Sequence, residues 1–173
     1  MTKKVSLKEY ERRREVWLSA LESGKFKQAR HMLEMLVNTK TKTGKTRKVS
    51  SFCCLGVACK LFKEEAWLAR KVDKENERVE YAGQSGDAPY ELAKYLGFRG
   101  ALSKKAEKAR PTFSGMLRKP VNETVNNSSD VQSANSLVML NDFFYWDFKR
   151  IAKFIRENPS QVWEKGTYKS KRA

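Results

Sequence analysis

Residues 52–59 read Phe-Cys-Cys-Leu-Gly-Val-Ala-Cys, and this stretch decides the fold. It follows a β-prone segment at residues 49–52 and carries no charge, so we expect a strand that turns into a buried helix ending near Arg70. The small residues Gly56 and Ala58 would let another backbone approach this helix closely. The segment is therefore predicted to lie inside the core.

Helices are predicted on both sides of this segment. Ser6 and Glu9 have the spacing of a capping box, so a first helix is expected to begin at Ser6. A second helix is predicted over residues 25–37, with the only histidine, His31, on it. The last strong helix is expected to be capped by Asn141 or Asp142. Its apolar residues recur at helical spacing: Phe144, Phe148, Ile151 and Ile155.

The remaining segments are shorter. Residues 78–82 favour a short strand, and Pro89 suits the first turn of a helix that Gly97 ends. Residues 101–110 indicate a basic helix, whereas residues 121–134 are rich in Asn, Ser and Thr and are expected to form an exposed loop. Together these patterns predict an α+β fold that is predominantly α-helical, with a small β-hairpin near residues 36–52. Residues 1–159 would form a single compact domain, and residues 160–173 a basic tail that contains aromatic residues.

Positive charge is concentrated at the two ends of the chain. The 173 residues include 36 Lys and Arg against 20 Asp and Glu, a formal net charge of +16. The excess of cations lies in residues 1–50 and 101–173, whereas residues 51–100 are neutral overall. Such a distribution favours a polyanionic partner, namely RNA, DNA or an acidic protein surface. A soluble basic surface without a specific partner is the alternative.

Residues 38–48 form the densest positive segment, and they contain neither an acidic nor an apolar residue. Gly44 at its centre predicts a turn. This segment is the best candidate for phosphate contacts, with a solvated loop as the alternative. The predicted nucleic-acid-binding residues, including two further groups, are Lys40, Lys42, Lys45, Arg47, Lys48, Lys104, Lys105, Lys108, Lys169, Lys171 and Arg172.

Three aromatic residues crowd the start of the last helix beyond the needs of one apolar stripe: Phe143, Tyr145 and Trp146. They would either pack on the cysteine-rich helix or form an exposed surface for bases or a protein partner. We keep them as candidate partner-binding residues.

The cysteines give little sign of chemistry. Cys53, Cys54 and Cys59 lie within seven residues, and their odd number and closeness argue against disulfides and for a reducing cytosol. With His31 they make four potential zinc ligands, but at the wrong spacing. Cys53 or Cys54 at a helix start is a possible nucleophile, although a free cysteine among apolar residues is usually a core residue. We therefore expect no catalytic residue, metal or cofactor.

Neither a membrane span nor a secretory signal is expected. The longest charge-free stretch near an apolar core, residues 49–59, has eleven residues, and a bilayer span needs roughly 20. The N-terminal residues are basic but have no apolar run behind them.

Three stretches together resemble a family of small uncharacterised proteins encoded by tailed bacteriophages. They are residues 24–28, residues 52–59, and the late Leu140-Asn141-Asp142 that precedes Phe148 and Ile151-Ala152. The resemblance implies a phage origin, expression in the cytoplasm of the bacterial host and an accessory role, and it brings no site residues. The basic turn at 38–48, residues 101–135 and the basic tail depart from the family pattern.

The sequence leaves three functions open. The first is a non-enzymatic phage accessory protein that binds RNA or DNA through its basic loops and tail. The second is an interaction protein that inhibits or redirects a host factor. The third is a cysteine-dependent enzyme or a nucleotide-binding pocket protein. The oligomeric state stays open.

Overall fold

The structure is a computed structural model that describes residues 5–124 and 131–169. Its helices are α1 (Leu7–Glu22), α2 (Cys54–Phe62), α3 (Tyr90–Leu96), α4 (Lys104–Ala109), α5 (Leu137–Asp142), α6 (Phe148–Glu157) and α7 (Pro159–Val162). Its strands are β1 (Lys27–Gln28), β2 (Glu34–Lys40), β3 (Thr46–Phe52), β4 (Arg70–Asp73), β5 (Arg78–Tyr81), β6 (Met116–Thr124) and β7 (Val131–Ser136). The prediction of a predominantly helical chain is wrong, because 37% of it is helical and 26% is strand.

Five strands form a mixed sheet in the order β1-β3-β2-β5-β4. Strand β1 runs parallel to β3, and all other neighbours are antiparallel. The predicted hairpin near 36–52 is present as β2 and β3, which pair from Glu34 with Phe52 to Lys40 with Thr46. The hairpin is thus part of a larger sheet.

The helix predicted over residues 25–37 is wrong. This segment instead contains β1, a turn in which His31 has a left-handed backbone (φ 66°), and the first residues of β2. Its apolar residues still pack, since Leu33 is fully buried and Phe26 meets Phe52 edge-to-face with ring centroids 5.5 Å apart. Hydrogen bonds to β3 and β5 override the local helical spacing.

Helix α2 forms from the decisive stretch, and residues 54–59 are all buried. Cys53 caps it, because its Sγ accepts a hydrogen bond from the Gly56 amide at 3.3 Å. The helix was predicted to end near Arg70, but it ends at Phe62. In the turn that follows, Trp67 has a left-handed backbone conformation (φ 54°). Arg70 begins strand β4.

Gly56 lies directly against the backbone that precedes β2. A Cβ atom at this position would stand 1.6 Å from the carbonyl oxygen of Leu33. The same oxygen accepts a hydrogen bond from the Cys53 amide at 3.3 Å. Only glycine therefore permits α2 to pack at this distance, as the small residues in the sequence predicted.

Helix α1 begins as predicted, with the Ser6 hydroxyl accepting from the Glu9 amide at 3.2 Å. Its Arg14 is buried and binds the carbonyl oxygens that end α3, those of Leu96 at 2.8 Å and Gly97 at 3.2 Å. The guanidinium also donates to the Thr167 hydroxyl at 2.6 Å. Burial lowers the pKa of Arg14 to about 9. One side chain therefore joins α1, α3 and the C-terminal segment.

The end of the chain packs onto this core. Trp163 follows α7, is buried, and meets Trp17 edge-to-face with ring centroids 6.1 Å apart. It also pairs with Phe98 in an isolated β-bridge. Helix α3 and its left-handed Gly97 (φ 70°) are as predicted. No helix in residues 5–124 or 131–169 has the length and apolarity needed to cross a membrane.

Two late segments differ from expectation. Asp147, not Asn141 or Asp142, caps α6, accepting from the Arg150 amide at 2.7 Å. The predicted stripe is buried at Phe148, Ile151 and Ile155, whereas Phe144 precedes the helix. The loop predicted over residues 121–134 is instead, in its described part, the β6–β7 hairpin. Its cross-strand hydrogen bonds outweigh the turn-like composition.

A buried carboxylate holds the packed face of the sheet together. Glu34 is fully buried and accepts hydrogen bonds from the Arg70 guanidinium at 2.8 Å, the Ser50 hydroxyl at 2.6 Å and the Tyr81 hydroxyl at 2.5 Å. Burial alone would raise the pKa of Glu34, but these donors more than offset it, and the pKa lies below its ordinary value.

Replacing Gly56 with alanine should destabilise the protein by at least about 3 kcal/mol, because the new methyl group meets backbone that has no room to move. Urea unfolding followed by fluorescence measures the loss. Gly86→Ala is the matched control, since its nearest neighbour would lie 3.8 Å away, and it should change stability by less than about 0.5 kcal/mol. Equal effects of the two substitutions would contradict this account of the packing.

Glu34→Gln should lower stability at pH 7 by about 2–4 kcal/mol and flatten the acid limb of the stability curve. A carboxyl whose folded pKa lies below its unfolded pKa of about 4.3 stabilises the fold above that value, and the contribution disappears as the pH falls through the folded pKa. Urea titrations should thus show that, between pH 7 and pH 3, the free energy of unfolding falls more for the wild type than for Glu34→Gln. The control Glu80→Gln removes a more exposed ion pair with Arg78 and should cost less than about 1 kcal/mol.

Candidate nucleic-acid interface

The β2–β3 hairpin carries the densest group of predicted phosphate-binding residues. Its turn is closed by hydrogen bonds from the Thr41 amide to Lys45 O at 2.8 Å and from the Gly44 amide to Thr41 O at 3.0 Å. Gly44 has a φ of +79°, a conformation that glycine adopts without steric cost. The turn therefore has a defined shape that presents Lys42 and Lys45 to solvent.

All five cations of the hairpin are exposed: Lys40, Lys42, Lys45, Arg47 and Lys48. Lys48 forms an ion pair at 2.9 Å with Glu77, the residue that directly precedes β5. The other four form no ion pair with any residue that the structure describes. Strand alternation puts Lys40 on one face of the hairpin and Arg47 on the other, so the positive charge surrounds the tip.

The other predicted cations lie on different elements. Lys104, Lys105 and Lys108 are exposed on α4, a helix attached to α3 through the ion pair between Glu107 and Lys94 at 2.9 Å. Lys169 lies 4.0 Å from the Glu11 carboxylate on α1. Lys171 and Arg172 lie outside the described residues. Within the described ranges, neither group shares an ion pair or a hydrogen bond with the hairpin.

The three candidate partner-binding aromatics separate into two environments. Phe143 and Tyr145 are 59% and 54% exposed, whereas Trp146 is 5% exposed and packs on Phe154 with ring centroids 5.6 Å apart. Phe143 and Tyr145 lie in the turn between α5 and α6. We call this pair the aromatic turn.

Two residues of the β1–β2 connection stand beside the aromatic turn. The Arg30 guanidinium stacks 4.2 Å from the centre of the Tyr145 ring, and His31 meets Phe143 edge-to-face at 6.0 Å. His31 and Tyr145 both have left-handed backbones, with φ of 66° and 56°. Bulky residues adopt this conformation only when the surroundings hold them there, and such residues cluster at functional sites.

A polar junction beneath the aromatic turn holds it in place, and sequence analysis missed it. Gln28 donates to the Asn141 side-chain oxygen and to Trp146 O, both at 2.8 Å. Asn141 in turn donates to Ala29 O at 3.0 Å and to the Asp142 carboxylate at 2.6 Å. Asn141 and Asp142 are both buried. In the sequence, these two polar residues directly follow the apolar residues 137–140, which was the signal for a buried polar site, but they were interpreted as helix caps.

The cysteines are placed for packing rather than for chemistry. All three are free and buried. Burial raises the pKa of Cys53 to about 12 and holds those of Cys54 and Cys59 well above their usual range. A nucleophilic cysteine needs a thiolate, so these neutral thiols do not support cysteine catalysis. No group of three potential metal ligands occurs among the residues that the structure describes.

Comparison with protein-family models matches residues 10–159 to a family described as a domain of unknown function (DUF8296). The chain belongs to this family. The matched region includes the hairpin, the polar junction and the aromatic turn. No curated protein and no solved structure matches the chain.

Proposed function

We propose that this protein is a non-enzymatic nucleic-acid-binding protein that contacts phosphates with its β2–β3 hairpin. The observation that carries the proposal is the state of Lys40, Lys42, Lys45 and Arg47, which are exposed and have no acidic partner among the described residues. Cations in this state can exchange condensed counterions on a nucleic acid for direct phosphate contacts. Residues 38–48 contain no acidic residue that would repel a phosphate.

The shape of the hairpin supports the same function. A two-stranded β-ribbon fits a nucleic-acid groove, and cations on both of its faces would meet phosphates on either side. Lys104, Lys105, Lys108 and Lys169 would add contacts outside the hairpin, as would the sequence positions Lys171 and Arg172. Contacts of this kind position a protein on nucleic acid without reading its sequence.

The quadruple variant Lys40→Gln, Lys42→Gln, Lys45→Gln, Arg47→Gln should weaken binding to labelled RNA and DNA. If all four residues contact phosphates, the plot of log affinity against log salt should become less steep, with the magnitude of its negative slope reduced by about 3–4. Fluorescence anisotropy across a salt series measures both quantities.

A second quadruple variant controls for net charge. It replaces four exposed cations on other elements with glutamine: Lys60, Lys71, Lys74 and Lys149. Both variants lower the net charge by the same amount, so only the hairpin variant should change the slope strongly. Equal losses would show that the +16 charge acts as a general attraction, and they would reject the hairpin as the site.

A second candidate function is the inhibition or redirection of a host protein by a phage protein in the cytoplasm of a bacterial host. The aromatic turn favours it, because exposed Phe143 and Tyr145 are fixed from below by buried Trp146 and the polar junction. Aromatic residues on a rigid support are common anchors in protein interfaces. The resemblance to tailed-phage proteins supports the phage origin and the host cytoplasm.

A pull-down from the soluble fraction of nuclease-treated host lysate tests this candidate. A partner that is retained in high salt by the wild type should be lost from the double variant Phe143→Ser, Tyr145→Ser. The hairpin variant serves as the control and should retain it. Retention by the aromatic variant, or a partner that disappears with nuclease, would count against the host-protein candidate.

A further inference from the structure

A groove of about 790 Å³ lies outside both the β2–β3 hairpin and the aromatic turn. Its walls come from α1, the turn after α2, α3 and α4. Four aromatic side chains line it: Tyr10, Trp67, Tyr90 and Tyr95. The volume exceeds that of a nucleobase with its sugar, so a flat organic ligand has room to enter.

Trp67 is the most exposed large apolar residue of the described chain, at 87%. It stands in a left-handed backbone conformation (φ 54°), which disfavours a bulky side chain. The other three tryptophans, at positions 17, 146 and 163, are all buried. An exposed indole held at the edge of a groove by a strained turn resembles a stacking platform.

Tyr90 supplies a polar group that lacks a partner. The residue is 6% exposed, and its buried hydroxyl oxygen has no described residue within hydrogen-bonding geometry. The Lys94 ammonium, 5.8 Å from the Tyr90 ring centre, instead pairs with Glu107 at 2.9 Å. A buried hydroxyl in this state costs free energy unless a ligand or water satisfies it. Because Tyr90 lines the groove, a bound ligand with a hydrogen-bonding edge would provide that partner.

The charges of the groove cancel. Lys94 pairs with Glu107 at 2.9 Å, and Arg110 pairs with Glu91. The Arg13 guanidinium lies over the Tyr95 ring, 3.8 Å from its centre, and pairs with Glu9 at 2.8 Å, while Glu65 supplies the third carboxylate of the lining. Three cations thus face three anions, a balance that attracts neither a polyphosphate nor a polycation. A neutral planar ligand fits this lining best.

We propose that this groove binds a nucleobase, stacked on Trp67 and hydrogen-bonded to the Tyr90 hydroxyl. A nucleobase is planar and uncharged at neutral pH, and it has both an aromatic face and a polar edge. Stacking on an aromatic side chain accepts every base, because each has a π face. The base is supplied either by a free nucleoside or by one nucleotide of a single strand, and the site does not require the hairpin to bind phosphate.

Trp67 provides the first measurement. All four tryptophans lie in described residues, and only Trp67 is exposed. A base stacked on Trp67 should therefore quench the same part of the tryptophan fluorescence that acrylamide quenches. Adenosine, guanosine, cytidine and uridine are titrated into the full chain. Saturable quenching by at least one nucleoside with a dissociation constant below about 10 mM, a binding free energy of roughly −3 kcal/mol or stronger, supports the proposal. Its absence for all four nucleosides and for single-stranded homopolymers overturns it.

Two variants assign the binding to the groove, with calorimetry as the readout. Trp67→Ala should weaken binding by roughly 5- to 100-fold, and Tyr90→Phe by roughly 3- to 10-fold. Tyr90→Phe should leave the melting temperature unchanged or raise it, because it removes an unsatisfied buried hydroxyl. A structural role for that hydroxyl would lower the melting temperature instead. The controls Phe143→Ala and Tyr145→Phe alter exposed aromatics elsewhere and should bind as the wild type. Unchanged binding by both groove variants would reject the site.

The source of the base and the hairpin function are separated by one further comparison. Nucleosides carry no phosphate, so the hairpin variant should bind them as the wild type does. If the base comes from a single strand, Trp67→Ala should also weaken homopolymer binding without changing its salt slope. If free nucleosides are the source, only nucleoside binding should fall. Loss of nucleoside binding in the hairpin variant would contradict a separate groove site.

Discussion

The close approach of Gly56 on α2 to the carbonyl oxygen of Leu33 sets the position of the neighbouring elements. Leu33 also donates its amide to Ser85 O at 2.5 Å and accepts from the Cys53 amide, so three segments meet at one residue. With α2 fixed there, β2 and β3 leave the core side by side, and their far ends extend into solvent as the hairpin. Short side chains along α2 make this approach possible, and they explain why three cysteines are present without a disulfide or an accessible thiol.

Local signals in the sequence were reliable where one residue decides the conformation. Ser6 at the start of α1, Gly97 at the end of α3 and Gly44 in the hairpin turn all act through their own backbone or cap geometry, and each prediction is confirmed. Segments whose conformation depends on a distant partner were predicted wrongly. Residues 25–37 have helical spacing, yet pairing with residues far along the chain draws Glu34 and its neighbours into a sheet. Strand β4 and the β6–β7 hairpin were missed for the same reason, since strand pairing is not written in local periodicity.

The candidate sites show the same division. Sequence located the cations of residues 38–48, but only the fold shows that Lys48 is paired with Glu77 while its four neighbours have no described acidic partner. Similarly, the sequence did not distinguish the three candidate aromatic residues, whereas the fold buries Trp146 and exposes Phe143 and Tyr145. The groove beside Trp67 is assembled from four elements, and its aromatic residues are spread over residues 10–95. The spacing of residues within any one segment therefore could not predict this groove.

The contact between Arg14 and Thr167 spans 153 positions of sequence, and it determines when the fold can be completed during synthesis. A ribosome adds roughly 5–20 residues per second, so residue 14 waits many seconds before its last hydrogen-bond partner emerges. Until then α1 has its buried guanidinium without that partner, and Trp17 lacks the ring of Trp163. Final closure of this core therefore cannot precede the emergence of residue 167 from the ribosome. The contacts of Arg14 with Thr167 and of Glu11 with Lys169 hold the two ends of the described chain close together. A circular permutant could therefore join these ends with a short linker.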